Sequence, residues 1–263
     1  MNIHYKIHKN KKDVYIVFLH GLGGNMHAWN DIVKIILNYG YSICTIDLRG
    51  HGKSFRPKNI DKYQLHYFAD DIHHIITKEK INKFIIVGHC FGGVVSSIYQ
   101  YKYKSAKAAV FIGSTHKSPL RLKVISPFLT LINYFLSNYL PNKSLLNRRD
   151  FKKFINTSDY SAKRIISDIL DTSPRSYSAI FYQFNQYNGE KILPYIKIPT
   201  LIITGEKDTV FYTKYGKRIN ELIKKSQLVT VPKANHILVI NNAHTVSQLI
   251  LNFINNLDKK IFD

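Results

Sequence analysis

Cysteine is nearly absent from this chain of 263 residues. Cys44 and Cys90 cannot build a disulfide framework, so an apolar core has to carry the fold, and an unpaired thiol points to a reducing compartment, the cytoplasm. Acidic residues are also scarce, 17 Asp and Glu against 38 Lys and Arg, for a formal charge of +21. That balance suits an acidic acyl carrier or an anionic lipid surface as partner. It is also what an AT-rich coding bias produces without selection for binding, the reading favoured here because the chain is crowded with Lys, Asn, Ile and Tyr. No nucleic-acid motif accompanies the charge, so no nucleic-acid partner is expected. Long apolar runs are missing too. The nearest, "VISPFLTLINYFL" at 124–136, is broken by Pro127 and Asn133 and falls short of the roughly 20 residues that span a bilayer. "VYIVFL" at 14–19 is too brief for a signal-peptide core and runs into His-Gly.

Short apolar runs alternating with longer amphipathic stretches predict a parallel sheet wrapped by helices, an α/β fold. Strands are expected at 3–8, 14–19, 41–47, 83–87, 108–112, 200–204 and 227–231. "FIIVG" and "LIITG" are apolar on both faces, as strands covered on both sides must be. Residues 61–80 carry Leu65, Phe68, Ile72, Ile75 and Ile76 at helical spacing, predicting a surface helix. The strand rhythm stops after Ile112 and resumes near Ile198. Residues 117–194 between them read as an inserted helical unit, leaving 1–116 and 195–263 as the core.

"GHCFGG" at 88–93 follows an apolar strand and precedes a helix-compatible stretch, which puts Cys90 at a sharp turn on a helix N-terminus. Such a terminus favours negative charge, and glycines on either side relieve crowding. Taken alone, the pattern is also compatible with a buried structural cysteine. Its context adds meaning. "HGLGGN" after an earlier strand is a glycine-rich loop able to aim backbone N–H groups at an oxyanion, with His20 supporting the loop. "GEKD" places Asp208 just past one strand and "KANH" places His236 just past the next. Nucleophile, acid and histidine therefore stand in that order at strand ends, where open α/β sheets bind ligands.

With "HGLGG", "DLRGHGKS", "GHCFGG", "GEKD" and "NH" in order along 14–236, the sequence resembles the α/β-hydrolase superfamily. The resemblance implies an α/β-hydrolase fold with a mostly parallel eight-stranded sheet and a helical cap at 117–194. It implies Cys90 as nucleophile, His236 as general base then acid, Asp208 orienting His236, and the backbone N–H groups of Leu22 and Phe91 as oxyanion donors. Cys90 departs from the usual Ser; dienelactone hydrolases and polyhydroxyalkanoate synthases are branches that carry Cys. A thiol nucleophile yields a thioester, a good acyl donor to acceptors besides water.

The function expected is hydrolysis of carboxylic esters or thioesters of a moderately hydrophobic acyl group through a covalent acyl-enzyme. An acyltransferase and a non-catalytic ligand-binding homologue are the alternatives. Carbon–carbon hydrolases and hydroxynitrile lyases share the fold, whereas epoxide hydrolases and haloalkane dehalogenases need a carboxylate in place of Cys90. No cofactor or metal is expected. His73 and His74 with Asp70 and Asp71 read as a solvated helix face, Cys44 as strand packing and His51 as a turn residue. Trp29 either lines the entrance or anchors the first helix. Of Tyr177, Phe181, Tyr182 and Phe184, most are expected in the cap's own core and one or two in an acyl pocket.

Overall fold

The computed structural model describes residues 2–118, 139–146, 148, 150–257 and 262. Their strands are β1 (Tyr5–His8), β2 (Lys12–Leu19), β3 (Tyr41–Ile46), β4 (Phe84–His89), β5 (Ala108–Ile112), β6 (Thr200–Gly205) and β7 (Ser226–Val231). They form one sheet in the order β1-β3-β2-β4-β5-β6-β7. β1 pairs antiparallel with β3, and every other pairing is parallel. The seven apolar runs read from sequence each became a strand; the eighth strand that the resemblance implied has no counterpart among the described residues. β3 through β6 are almost wholly buried because helices cover both faces, which is why their sequences run apolar instead of alternating.

One face carries α2 (Leu65–Lys78), α3 (Phe91–Tyr103) and α6 (Thr213–Leu222), whose Phe68, Ile72, Val94, Tyr99, Tyr215 and Ile219 share a core cluster with Val17, Ile86 and Phe111. The opposite face carries α1 (Asn30–Leu37) and α7 (Ala243–Asn255), where Ile32, Ile36, Val246 and Ile250 pack on Ile16, Ile85 and Val110. Between β5 and β6, α4 (Ala162–Thr172) and α5 (Pro174–Asn185) follow one another, with Ser173 accepting from the N–H of Ser176 at the start of α5. These helices fall in the predicted insertion; residues 119–138, 147 and 149 of that range, including all of "VISPFLTLINYFL", lie outside the described residues. Among the described residues no helix is long and apolar enough to cross a membrane.

The topology determines where chemistry can occur. The chain leaves β2 to one side for β3, then crosses back over β2 to β4 on its other side. That reversal opens a crevice at the C-terminal ends of β2 and β4. Leu19 pairs with Gly88, so the loops that begin at His20 and Cys90 emerge side by side.

The loop after β3 is anchored by Arg49, only 1% exposed, whose Nε and Nη2 donate to the two carboxylate oxygens of Asp71 on α2 at 2.6 and 2.7 Å. Burial raises the Asp71 carboxyl above its ordinary value, and Arg49 opposes that rise. The expected solvated face of α2 is therefore corrected at Asp71, which is buried. Asp70 pairs with Lys102 at 2.5 Å and His73 stacks on Tyr103 at 3.8 Å, so these groups have protein partners as well.

Candidate active site

Cys90 joins β4 to α3 with φ 52° and ψ −115°, a left-handed conformation rarely adopted by a residue with a Cβ. Such a residue stores about 1–3 kcal/mol of strain and persists only where its surroundings hold it. Here the Cys90 N–H donates to the Ile112 carbonyl at 2.9 Å, and the Ser114 hydroxyl donates to the Cys90 carbonyl at 3.1 Å. The glycines are packing requirements. A Cβ on Gly92 would collide with the Leu19 carbonyl oxygen, and one on Gly88 with the backbone of Gly92. The Gly-x-Cys-x-Gly spacing thus follows from strand and helix passing at backbone contact, with the thiol presented at the N-terminus of a 13-residue helix.

Asp208 follows β6 and is 2% exposed. Its Oδ1 accepts the N–H groups of Val210 and Phe211 at 2.8 and 2.7 Å, which aims Oδ2 at His236 Nδ1, 2.8 Å away. His236 lines the same cleft as Cys90. Burial on its own pulls His236 down, but the Asp208 carboxylate and the Cys90 sulfur outweigh it and raise the imidazole to about 10. The arrangement therefore favours a protonated imidazole at neutral pH. His89 lies beside this ring, its Nε2–H donating to the His236 carbonyl at 2.9 Å. Burial, and then the charge of His236, push His89 down to about 3, so it remains a neutral donor.

The loop after β2 is built around two neutral imidazoles. His20 donates from Nδ1 to the Gly21 carbonyl at 2.8 Å and accepts the Leu48 N–H at 3.0 Å, supporting the loop as read from sequence. His51, a turn residue in that reading, is fully buried, and its Nε2 accepts the Gly23 N–H at 3.2 Å. Burial lowers both rings, His51 well below its ordinary value. The Gly24 N–H is bonded to the Gly21 carbonyl. Leu22 lines the cleft beside Cys90. Phe91, the first residue of α3, turns its ring into the core against Phe68 and Phe184.

The cleft over Cys90 encloses about 490 Å³, including the part open to solvent. Its walls are Leu22, Ala28, Ile237, Val239 and Ile240 from the core, with Phe151, Phe154, Arg148, Arg164 and Asp168 from the insertion. Arg148 pairs with Asp168 at 2.7 Å, lies 4.2 Å over the Phe151 ring and donates from Nη2 to the Gly23 carbonyl at 2.6 Å. Arg164 pairs with the other oxygen of Asp168 at 3.2 Å. The four aromatics at 177–184 do not line this cleft. Phe184 is core, packed on Phe91 and Phe211, while the cleft aromatics are Phe151 and Phe154, which the sequence reading passed over. Trp29 is fully buried 4.8 Å from Phe18 and anchors the first helix. Cys44 is buried in β3, where desolvation pushes its thiol up to about 12.

The structure thus bonds Asp208 to His236, sets His236, Cys90 and Leu22 on one cleft, and starts the helix after Cys90 at Phe91. The sequence reading missed His89, Arg148, Arg164, Asp168 and Asp159. Only His89 carried a local signal, its place next to Cys90.

A family model described as the alpha/beta hydrolase fold matches residues 14–243. A putative non-heme chloroperoxidase from Synechocystis sp. is 26% identical over 253 residues, covering 91% of this chain and 90% of that protein. The enol-lactonase from Burkholderia xenovorans superposes with a TM-score of 0.75 at 18% identity, over 97% of this chain and 96% of that one. An esterase from Exiguobacterium antarcticum superposes with a TM-score of 0.75 at 17% identity, over 97% and 96%. The motifs, the sheet order and the family match agree: the chain belongs to the α/β-hydrolase family.

Proposed function

We propose that this α/β hydrolase cleaves carboxylic esters or thioesters of a moderately hydrophobic acyl group, with Cys90 as nucleophile, His236 as acid and base, and Asp208 orienting His236. The observation that carries the reading is the 2.8 Å bond from His236 Nδ1 to Asp208 Oδ2 in a cleft that His236 shares with Cys90, itself on a strained elbow at a helix N-terminus. The names of structural neighbours, an enol-lactonase and an esterase, support acyl–oxygen cleavage. The apolar wall of Phe151, Phe154, Val239 and Ile240 supports an acyl group without strong polarity. Residues 117–194 act as the cap, supplying Phe151 and Phe154 to that wall and with them the specificity.

In the reaction, the Cys90 thiolate attacks the acyl carbon, and the carbonyl electrons move onto an oxygen held by the N–H groups of Leu22 and Phe91. Collapse breaks the bond to the leaving group, which takes the proton from the His236 imidazolium. Acylation removes the thiolate charge, one of the two charges that hold His236 protonated. The neutral imidazole then accepts a proton from water, hydroxide adds to the thioester, and the C–S bond breaks to give the acid and restore the ion pair. No step requires a metal or cofactor.

The raised imidazole sets the pH dependence. Its proton is retained above the ordinary value of 6.5 and lost as pH rises through about 10. Acylation needs that proton for the leaving group, so kcat/KM for p-nitrophenyl esters or acyl thioesters should persist above pH 8 and fall through about 10. A descending limb near 6.5 would contradict the ion pair. Because a thioester also acylates thiols, alcohols and amines, acyl transfer is the second reading. Partition of a common acyl-enzyme toward an added thiol would favour it, and free acid as sole product would count against it.

A further inference from the structure

His236 and Asp208 lie on separate loops, after β7 and β6, and one carboxylate outside the proposed catalytic group binds both loops. Asp159, two residues before the N-cap of α4, is 5% exposed. Its Oδ1 accepts the backbone N–H of His236 at 2.9 Å. Its Oδ2 accepts the backbone N–H and the hydroxyl of Thr209, the residue after Asp208, at 2.8 and 2.7 Å. Neighbouring residues add to the attachment. The Tyr160 hydroxyl donates to the Thr209 carbonyl at 3.0 Å, and Asn235 Nδ2 donates to the Thr157 carbonyl at 2.9 Å.

We infer that Asp159 is a positioning residue: by bonding the backbone of His236 and of Thr209 with its two oxygens, it fixes the spacing of the loops that carry the acid and the base. The inference rests on the triad proposed above. Asp159 does not line the cleft, so it acts through His236 and not on the substrate. The chemistry requires a carboxylate, since all three groups facing it are donors. An amide has only one acceptor oxygen, and its NH₂ would meet an N–H on the other side. A buried donor left without an acceptor drives the loop to move until it finds one. Because His236 reaches Asp208 through a single 2.8 Å bond, a small shift of either loop breaks the alignment.

The same segment also reaches the oxyanion loop. Arg164 donates to the Asp159 carbonyl and pairs with Asp168, Asp168 pairs with Arg148, and Arg148 donates to the Gly23 carbonyl. Base and oxyanion loop are thereby braced by one inserted stretch of chain, so the site is complete only when that stretch is docked.

The test compares Cys90 alkylation by iodoacetamide from about pH 5 to about 10, read by mass spectrometry, in wild type, Asp159→Asn, Thr209→Val and His236→Ala, alongside ester turnover. Asp159→Asn should slow Cys90 labelling about tenfold at pH 6.5 and move its midpoint toward the roughly 8.5 of a free thiol. Its kcat should fall about tenfold or more with KM within about twofold. Thr209→Val removes only the hydroxyl bond and should slow labelling about two- to threefold. Buried Cys44 reports on folding and should stay unlabelled; if it reacts in Asp159→Asn, Thr209→Val decides. Wild-type labelling in the deciding variant overturns the positioning role while leaving the triad intact. Equal labelling of wild type and His236→Ala overturns the triad, and this inference with it.

Discussion

Cys90→Ala should lower kcat/KM for an activated ester or thioester by at least about 10⁴-fold, the loss seen when a covalent nucleophile is deleted and only binding and oxyanion contacts remain. The variant should still fold. Alanine meets the same strain at φ 52° that cysteine does, and the bonds that hold the elbow run through the Cys90 backbone to Ile112 and Ser114. Parallel assays of p-nitrophenyl esters and acyl thioesters, with thermal melting as control, check both statements. Equal turnover in wild type and variant would place the chemistry elsewhere.

Asp208→Asn should cost about 10⁴-fold in kcat, with KM changed by less than about threefold. The amide oxygen can still accept from Val210 and Phe211, so the loop keeps its shape. The group facing His236 Nδ1 then becomes an NH₂ donor. Nδ1 must turn acceptor, which leaves the proton on Nε2, facing Cys90, where it cannot receive the thiol's proton. The carboxylate charge that lifts His236 disappears as well. KM is spared because Asp208 lies behind His236 and touches no part of the cleft. Steady-state kinetics separates the two constants; a loss confined to KM would contradict an orienting role.

The parts of the molecule legible in the sequence are those whose cause is local. Both-sided burial makes "FIIVG" and "LIITG" continuous apolar runs, and backbone contact at Gly88 and Gly92 leaves a fixed spacing around Cys90. Asp208 and His236 were readable because each ends a strand within a few residues. The strand count implied by resemblance was one too high for the described residues, whereas the apolar runs themselves numbered seven. The parts that were not legible depend on contacts distant in sequence. Asp159 reaches His236 across 77 positions and Arg148 reaches Gly23 across 125. Nothing in "TSDY" or "NRRD" marks those partners. The cleft aromatics were misread for a related reason. "YSAIFYQFNQY" is the denser cluster, but α5 turns Phe184 into the core, and the sparser Phe151 and Phe154 meet the cleft.

The central claim is that Cys90 is a thiol activated by His236. The most direct test is the rate of Cys90 alkylation by iodoacetamide against pH in wild type and His236→Ala, with buried Cys44 as internal control. The ion pair predicts fast labelling of Cys90 well below pH 8 in wild type. In the variant the labelling should slow, with its midpoint shifted toward the roughly 8.5 of a free thiol. Labelling of wild-type Cys90 no faster than a free thiol, and unchanged without His236, would contradict the account and leave the fold as a ligand-binding relative of the hydrolases.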